Sequence, residues 1–444
     1  MIDFTKKKFG VISLGCDKNR VDSEKLLSII KERGCELTDD ISVARILVVN
    51  TCAFLNSARS EAIETILDCA AQKNANLEKL VVTGCLPQKF ISELYEQLPE
   101  VDVFLGTKDY DSFFDSLEAA YRGEQVNAVG AGCGQVKTDR VVTTPSHYAY
   151  LKIADGCNNK CTYCLIPKIR GKYESYSVES LVEEAEKLGE ISELILVAQD
   201  VTRYGTDLYG RKELKNLLKQ LSALDNIGSI RLLYCYPDMI DDEIIEEIRD
   251  NSKILKYLDI PLQHSENRIL RLMNRKGTRE DYISLIEKLR KNIPGIALRS
   301  TFIAGFPCET EYEFQGLCDF LSIVSLDNCG FFGYSKEPDT AAAKLKGQIP
   351  SGVKKGRVSE LYKIQSRISA EKLAKFKGKI LRVLCDGIDY DRNCFVGRAY
   401  FQAPEIDGKV YFNAHSAKQG EYYDVLIENY DSYDLYGRCG DYEL

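Results

Sequence analysis

Three cysteines on one short loop constrain this 444-residue chain more than any other feature. Cys157, Cys161 and Cys164 form a C-x3-C-x2-C array that directly follows an apolar run with the pattern of a β-strand. Cysteines this close would strain a disulfide, and an odd number leaves one over. Three thiolates on a tight loop suit a cubane iron–sulfur cluster in which one iron has no protein ligand. The array therefore predicts a metal centre with one open position.

A structural zinc site is the alternative for the same loop. Zinc needs a fourth cysteine or histidine at matching spacing, and His147 is the only histidine near the array. The chain contains 16 cysteines in all. Without a secretory context, we interpret them as metal ligands and free core thiols rather than as a disulfide framework, because reducing compartments keep thiols reduced.

The first segment, residues 1–140, alternates apolar runs with helical patterns, which is typical of an α/β, flavodoxin-like domain with a parallel sheet. The apolar runs are Phe9 to Gly15, Ile46 to Thr51, Leu80 to Gly84 and Val101 to Gly106. Cysteines end or follow three of these runs, at Cys16, Cys52 and Cys85. Because the carboxyl ends of parallel strands converge, we expect the three thiols to form a second metal site. Simple core packing is the alternative for each thiol taken alone.

The second segment, residues 141–376, supplies six strand-like runs with helices between them, which favours a partial (βα)6 barrel over a closed eight-stranded one. The runs are Tyr148 to Ala154, Leu194 to Gln199, Ile230 to Tyr236, Tyr257 to Leu262, Ala297 to Phe306 and Cys329 to Tyr334. Loops after the strands hold the active site in such folds. We therefore expect Asp200, Tyr236, Gln263 and His264 to face the same cavity as the cysteine loop.

The remaining chain predicts a helix and a small β-barrel. Ser351 to Phe376 has the pattern of one amphipathic helix, interpreted as a solvated connector whose charges need no partner. Residues 377–444 show short alternating strands separated by glycine-containing turns, for example after Asp386 and Asp407, which is typical of a small barrel. The predicted domains are residues 1–140, 141–376 and 377–444.

Charge and hydropathy bear on the compartment and the partners. No apolar run approaches the ~18 residues of a membrane helix. The run after Lys6, Lys7 and Lys8 is too short and too interrupted by glycine for a signal peptide. The sequence therefore predicts a cytoplasmic protein without a membrane partner. The net charge of −8 argues against a broad nucleic-acid surface and favours a basic partner.

These features together resemble a known family. The cysteine array, with Tyr163 before its third cysteine, is similar to that of the radical S-adenosylmethionine (SAM) enzymes. The dispersed N-terminal cysteines and the C-terminal β-barrel further resemble the methylthiotransferases, whose barrel is called the TRAM domain. The resemblance implies two [4Fe-4S] clusters, and SAM bound to the open iron of the first. The implied ligand sets are Cys157, Cys161 and Cys164 for the first cluster and Cys16, Cys52 and Cys85 for the second.

The resemblance places no residue other than the cluster ligands in the chemistry. Tyr163, Asp200 and Gln263 are candidates for SAM contacts from their positions alone. The family chemistry implies that SAM is cleaved to a 5′-deoxyadenosyl radical, which takes hydrogen from an unactivated carbon of the substrate. Sulfur of the second cluster and a methyl group from a second SAM then complete a methylthio group. An electron donor and a sulfur donor are implied as partners.

Within the family, Ser13 to Glu24 resembles the RimO branch, which modifies the β-carbon of an aspartate in small-subunit ribosomal protein twelve. The MiaB branch, which acts on adenosine in transfer RNA, typically has Gln-Met-Asn where this chain has residues 17–19 (Asp-Lys-Asn). It also often has tyrosine where this chain has Lys168. The tail from Tyr433 to Gly437 resembles RimO as well. Cys308 departs from the family pattern, which has glycine at that position.

The charge of the last segment points to a protein substrate independently of these motifs. Residues 377–444 contain eight basic and twelve acidic residues. Nucleic-acid affinity depends on cations that contact phosphates, whereas an acidic surface complements a basic ribosomal protein. A charged surface that serves only solubility is the alternative. Two other functions stay open: a transfer-RNA adenosine methylthiotransferase, and a non-catalytic, metal-stabilised protein that binds RNA or the ribosome.

Overall fold

The computed structural model describes residues 2–132 and 139–440, which form two compact units. The second unit comprises Thr144–Ala154, Lys160–Tyr163 and Glu174–Leu444, and the first holds the rest of the chain. The cysteine loop therefore contributes Cys157 and Cys164 to the first unit and Cys161 to the second. The division into three domains stays a prediction.

A six-stranded sheet forms the centre of the first unit, and all its neighbouring strands are parallel, as predicted. The strand order is β2-β1-β3-β4-β5-β6. The strands are β1 (Lys8–Ser13), β2 (Glu36–Leu37), β3 (Ile46–Thr51), β4 (Lys79–Gly84), β5 (Val103–Phe104) and β6 (Val126–Asn127). The helices of this unit are α1 (Asp17–Glu32), α2 (Asn56–Ala71), α3 (Cys85–Gln97), α4 (Phe113–Tyr121) and the short α5 (Ile166–Ile169).

Alternating side chains on β3 explain why helices cover both faces of this sheet. Ile46 and Val48 pack in a core with residues of α1 and α4. Leu47 and Val49 pack in a second core with residues of α2 and α3. All four side chains are fully buried. A strand that is apolar at every position requires cover on both sides, so the sheet lies between two helical layers.

The second unit contains another parallel sheet of six strands, which are adjacent in chain order. Its strands are β7 (Tyr148–Lys152), β10 (Glu193–Val197), β11 (Ile230–Leu232), β12 (Ile254–Asp259), β13 (Ala297–Ala304) and β14 (Asn328–Gly333). Its helices are α6 (Val178–Glu186), α7 (Leu214–Ser222), α8 (Asp242–Asp250), α9 (Asn267–Leu272), α10 (Arg279–Asn292) and α11 (Glu311–Val324). β8 (Ala154–Asp155) and β9 (Glu174–Ser175) form a separate two-stranded sheet. The open, sequential order confirms the predicted partial barrel.

The helix predicted after this sheet is present as α12 (Ser351–Leu373). The interpretation as a solvated connector without charge partners is wrong. One face of α12 is buried, and Arg357 on that face donates to Glu309 at 2.6 Å and to Glu311 at 2.9 Å. A buried guanidinium needs such partners, and charge composition alone does not distinguish it from an exposed one.

The chain ends in a closed five-stranded barrel of order β15-β16-β17-β19-β18, as predicted. The strands are β15 (Ile380–Asp389), β16 (Cys394–Arg398), β17 (Val410–Asn413), β18 (Tyr422–Tyr430) and β19 (Leu435–Cys439). The barrel belongs to the same compact unit as the second parallel sheet. None of the helices in the described part of the chain has the length and apolar character needed to cross a membrane.

Candidate metal centres

The three N-terminal cysteines lie after neighbouring strands of the first sheet. Cys16 comes three residues after the end of β1, and Cys52 and Cys85 directly follow β3 and β4, strands that are adjacent in the order β1-β3-β4. Cys16 is also the N-cap of α1, and Cys85 is the first residue of α3. The sheet therefore brings the three thiols together, and their role as metal ligands stays a prediction.

Two glycines allow the chain to approach closely at this edge of the sheet. Gly15 and Gly84 each precede a cysteine and have φ of +96° and +97°. A Cβ atom on Gly84 would lie 2.3 Å from Asn50 Oδ1, and one on Gly15 would lie 2.7 Å from Cys52 Cβ. Only glycine combines this conformation with this lack of space, so both positions are needed to place the cysteines.

Asn19 links the strand ends to the thiols. Its Nδ2 donates to the carbonyls of Leu14, at 3.1 Å, and Thr51, at 3.0 Å. Its Oδ1 lies 4.0 Å from Cys16 Sγ and 3.8 Å from Cys85 Sγ. In the sequence, Asn19 is recognisable only as part of a branch signature, because a local pattern does not reveal that one amide spans two strands.

Arg170 is the second residue of this site that sequence patterns did not identify. Its guanidinium donates to Asn19 Oδ1 at 2.6 Å and to Asp22 at 2.9 Å. Burial raises the pKa of the Cys85 thiol to about 12, while the charge of Arg170 acts in the opposite direction. Three thiols beside a fixed cation are a donor set that fits an anionic iron–sulfur cluster.

The sulfurs are not arranged around a single point. Within residues 2–132 and 139–440, no three His, Cys, Asp or Glu side chains are grouped closely enough to hold one metal ion. A cubane cluster binds each cysteine through a different iron, so its ligand sulfurs stand farther apart than the ligands of one ion. The wider grouping is therefore compatible with a cluster.

Backbone amides approach two sulfurs of the C-x3-C-x2-C loop in the first unit. The amide of Asn159 donates to Cys157 Sγ and that of Ile166 donates to Cys164 Sγ, both at 3.4 Å. Hydrogen bonds to sulfur stabilise the thiolate form and tune the potential of iron–sulfur clusters. These contacts suit Cys157 and Cys164 as cluster ligands.

The third cysteine of the loop has a phenol as its neighbour in the second unit. Tyr236 Oη lies 3.5 Å from Cys161 Sγ. The guanidinium of Arg275 lies 3.9 Å from the centre of the Tyr236 ring, and its NH2 donates to the carbonyl of Pro261. The position of Tyr236 at the end of a strand-like run predicts it near the cysteine loop, whereas no sequence pattern identifies Arg275.

The three candidate SAM contacts lie in different environments of the second unit. Tyr163 packs against an apolar cluster that includes Met273 and Phe306. Asp200 is fully buried and accepts hydrogen bonds from Thr202 and Arg203, so its carboxylate supports the local backbone turn. A contact of SAM with any of the three candidates stays a prediction.

Gln263 has a left-handed backbone conformation and pairs with a neighbouring strand. Its φ is +73°, and its amide and carbonyl pair with Thr301 and Ile303 of β13. His264 beside it is fully buried, with Nε2 3.4 Å from Glu309 Oε2. Seven other non-glycine residues of the described chain have a positive φ as well, so this conformation does not by itself mark a ligand site.

Models of three protein families match the chain. The Radical SAM superfamily covers residues 151–321, the Uncharacterized protein family UPF0004 covers residues 8–106, and the TRAM domain covers residues 378–439. The first two matches include the C-x3-C-x2-C loop and the three strand-end cysteines, respectively. The third match coincides with the closed barrel.

Full-length relatives carry one shared name, "Ribosomal protein uS12 methylthiotransferase RimO". The protein from Lachnoclostridium phytofermentans is 46% identical, and the alignment covers 97% of this chain and 99% of that protein. The protein from Acetivibrio thermocellus is 44% identical, with 97% and 98% covered.

Solved structures are similar at the level of the fold. The radical SAM methyltransferase TsrM from Kitasatospora setae, solved with cobalamin and a [4Fe-4S] cluster, is 15% identical with a TM-score of 0.57. The match covers 76% of this chain and 77% of TsrM. The radical SAM enzyme OxsB, solved with aqua-cobalamin and SAM, has a TM-score of 0.51 at 14% identity, with 82% of this chain and 56% of OxsB covered.

Proposed function

Because this chain belongs to the RimO branch of the radical SAM methylthiotransferase family, we propose that it adds a methylthio group to the β-carbon of an aspartate in ribosomal protein uS12. One observation of the molecule carries the chemistry of this proposal, and the uS12 substrate rests on the shared name of the relatives. A complete C-x3-C-x2-C loop occurs together with three further cysteines at neighbouring strand ends. Sulfur insertion requires both a radical generator and a sulfur carrier, and two separate cysteine sets provide a place for each.

Each cysteine set would hold one [4Fe-4S] cluster in this proposal. Cys157, Cys161 and Cys164 would ligate the first, and Cys16, Cys52 and Cys85 would ligate the second. When bound, the clusters and SAM would supply radical chemistry and sulfur, which acid–base side chains cannot provide for an unactivated C–H bond. An electron donor and a sulfur donor are required as partners.

The residues of the chain have positioning roles in this proposal. Asn19 fixes the strand ends that carry Cys16 and Cys52. The amides of Asn159 and Ile166 and the hydroxyl of Tyr236 surround the sulfurs of the cysteine loop. Preorganised donors of this kind lower the reorganisation required when the charge on a cluster changes.

The cluster assignment is tested by replacing each cysteine set with alanine and measuring iron after anaerobic reconstitution. Loss of Cys157, Cys161 and Cys164 should halve the iron and abolish SAM cleavage. Loss of Cys16, Cys52 and Cys85 should also halve the iron, but SAM should still be cleaved in the absence of substrate. Cys69, a buried cysteine of the core, provides the control, and its replacement by serine should leave the iron content unchanged. Unchanged iron in either triple variant contradicts the assignment.

The substrate is tested by offering the reconstituted enzyme purified uS12 and, separately, unmodified transfer RNA. Mass spectrometry should detect the added methylthio group on an aspartate of uS12 and not on the RNA. A gain of mass on the RNA alone would replace the protein substrate with a transfer-RNA adenosine and leave the cluster chemistry unaffected.

A further inference from the structure

A buried guanidinium lies beside the strand-end thiols of the first unit. Arg170 is 3% exposed, and it bonds to the same Asn19 Oδ1 that lies within 4.0 Å of Cys16 Sγ and Cys85 Sγ. A residue this deeply buried keeps its charge only where anions surround it. Two such anions are present, because Asp22 and Asp155 accept from Arg170 at 2.9 Å and 3.0 Å.

We propose that Arg170 is a positioning residue of the strand-end site, and that its fixed positive charge raises the reduction potential of a cluster held by Cys16, Cys52 and Cys85. This inference rests on the proposed function. Reduction adds a negative charge to the cluster, and a nearby cation favours the reduced form. Arginine is suited to this role because it stays protonated at every physiological pH.

The contacts of Arg170 hold the guanidinium in one place. Asp155 is bound through both of its carboxylate oxygens, and Asp22 and Asn19 are bound from helix α1. A planar guanidinium that bonds on several sides has one orientation, whereas a lysine ammonium would satisfy fewer of these acceptors. The charge therefore acts on the thiols from a constant position.

The same contacts connect the two cysteine sets through the first unit. Arg170 lies six residues after Cys164, and Asp155 lies two residues before Cys157. Asp22 belongs to helix α1, whose N-cap is Cys16. One buried side chain thus joins both flanks of the cysteine loop to the helix that begins at the strand-end site. Loss of Arg170 would disturb the potential and the relative placement of Cys157, Cys164 and Cys16.

Two substitutions with opposite expected signs test the inference. The background is the full chain with Cys157, Cys161 and Cys164 replaced by alanine, so that any cluster signal arises from the strand-end site. Arg170→Gln should lower the midpoint potential, measured by redox titration followed by electron paramagnetic resonance. Asp22→Asn removes a negative charge beside the guanidinium and should raise the midpoint potential. Arg170→Lys keeps the charge and should restore most of the potential that Arg170→Gln loses.

A matched control separates this effect from the general loss of a buried arginine. Arg231, 1% exposed, bonds to Glu193 and to the carbonyl of Tyr400, far along the chain from both cysteine sets. Arg231→Gln, the same change as Arg170→Gln, should leave the midpoint potential unchanged. If Arg170→Gln does not fold, as judged by circular dichroism, the inference is tested by the midpoint potentials of Asp22→Asn and Arg170→Lys, each compared with that of the parent.

The outcomes for the inference and for the proposed function can be distinguished. A loaded cluster whose midpoint potential is the same in the parent, Arg170→Gln and Asp22→Asn overturns the inference and leaves the proposed function standing. Equal shifts of the same sign in both variants also overturn it, because charge would not be the cause. A parent protein that binds no iron contradicts the proposed function itself, and the inference with it.

Discussion

The hydroxyl of Tyr236 is placed against one sulfur of the cysteine loop. The side chain is buried, and burial raises the pKa of Tyr236 well above its ordinary value, although Arg275 acts against the shift. The phenol therefore keeps its proton at neutral pH and can donate a hydrogen bond to Cys161 Sγ, 3.5 Å away. Arg275 covers the ring, and its Nε has no hydrogen-bond partner among the residues that the structure describes. A donor held in this way stabilises added negative charge on a sulfur ligand.

Tyr236→Phe should lower the midpoint potential of the cluster on the C-x3-C-x2-C loop and slow reductive cleavage of SAM. The loss of one hydrogen bond of about 1 kcal/mol corresponds to about fivefold in rate. Potential and cleavage are measured in a chain that lacks Cys16, Cys52 and Cys85. Tyr204→Phe is the control, because Tyr204 is also buried but donates to the carbonyl of Tyr176. The same change in both variants would show that the hydroxyl of Tyr236 has no specific role.

Cys308, which stands where the family pattern has glycine, illustrates how context permits an unusual residue. Its φ is +68°, in the region that glycine adopts freely. Its amide donates to the carbonyl of Gly347 at 2.9 Å, and its Sγ lies 3.0 Å from the carbonyl of Lys346. These contacts hold Cys308 in a backbone conformation that glycine adopts freely, so the glycine of the family pattern would fit the same turn.

At the scale of elements, buried ion pairs attach the C-terminal barrel to the second parallel sheet. Glu193 on β10 accepts from Arg231 on β11 at 2.5 Å and from Arg398 on β16 at 2.6 Å. Burial alone would raise the pKa of Glu193, but Arg231 and Arg398 hold it below its ordinary value. One carboxylate that binds two guanidiniums therefore connects the barrel to the sheet. This agrees with the finding that barrel and sheet belong to the same compact unit.

Glu193→Gln should lower the free energy of unfolding by roughly 3–5 kcal/mol at pH 7, because two guanidiniums remain buried without their anion. Urea denaturation measures this loss. Since the folded-state pKa of Glu193 is depressed, its stabilisation is present above the unfolded-state pKa of about 4.3 and is lost as the pH falls further. The difference between the two proteins should therefore shrink below about pH 4.

The control for this prediction is an exposed ion pair. Glu183 lies on α6 and Lys187 directly follows this helix, and their charged groups are 3.0 Å apart. Glu183→Gln should cost less than about 1 kcal/mol, as is usual for exposed pairs. A similar loss for Glu183→Gln and Glu193→Gln would contradict the role assigned to the buried pairs.

At the scale of the whole molecule, the acidic balance of the barrel is partly internal. The side chain of Asp407 is buried, and Asp386 bonds to Arg398 and to His147. Asp431 accepts from the amides of Tyr433 and Asp434 and shapes a turn. Asp441 and Glu443 lie outside the described residues. Acidic side chains free to steer a basic substrate are therefore fewer than composition indicates.

Reversal of two exposed acids of the barrel, Asp391→Lys and Asp424→Lys, should slow the association of uS12 on the order of tenfold at low salt. The effect should fade as salt rises, because screening removes steering. Stopped-flow measurement of binding tests this, and SAM cleavage without substrate should not change. Asp225→Lys with Glu243→Lys, two exposed acids outside the barrel, is the matched control. An equal reduction in rate for both double variants would exclude the barrel as the docking surface.

The sequence by itself was sufficient for features that depend on local order along the chain. The alternation of apolar runs and helices predicted both parallel sheets, and the glycine-separated short strands predicted the barrel, because hydrophobic periodicity reports directly on secondary structure. Cys16, Cys52 and Cys85 could be grouped in advance because ends of parallel strands meet at one edge. The cysteine motifs were sufficient to identify the family.

Only the tertiary structure decided which polar side chains are buried and what they contact. In the sequence, Asn19, Arg170 and Arg275 cannot be distinguished from exposed residues of the same types. Their roles arise from partners up to 151 residues away. The same holds for Arg357 of α12, which composition assigned to solvent and packing placed against Glu309. Burial makes these charges costly unless each finds its partner, and that pairing is set by the meeting of distant segments and not by any pattern within one of them.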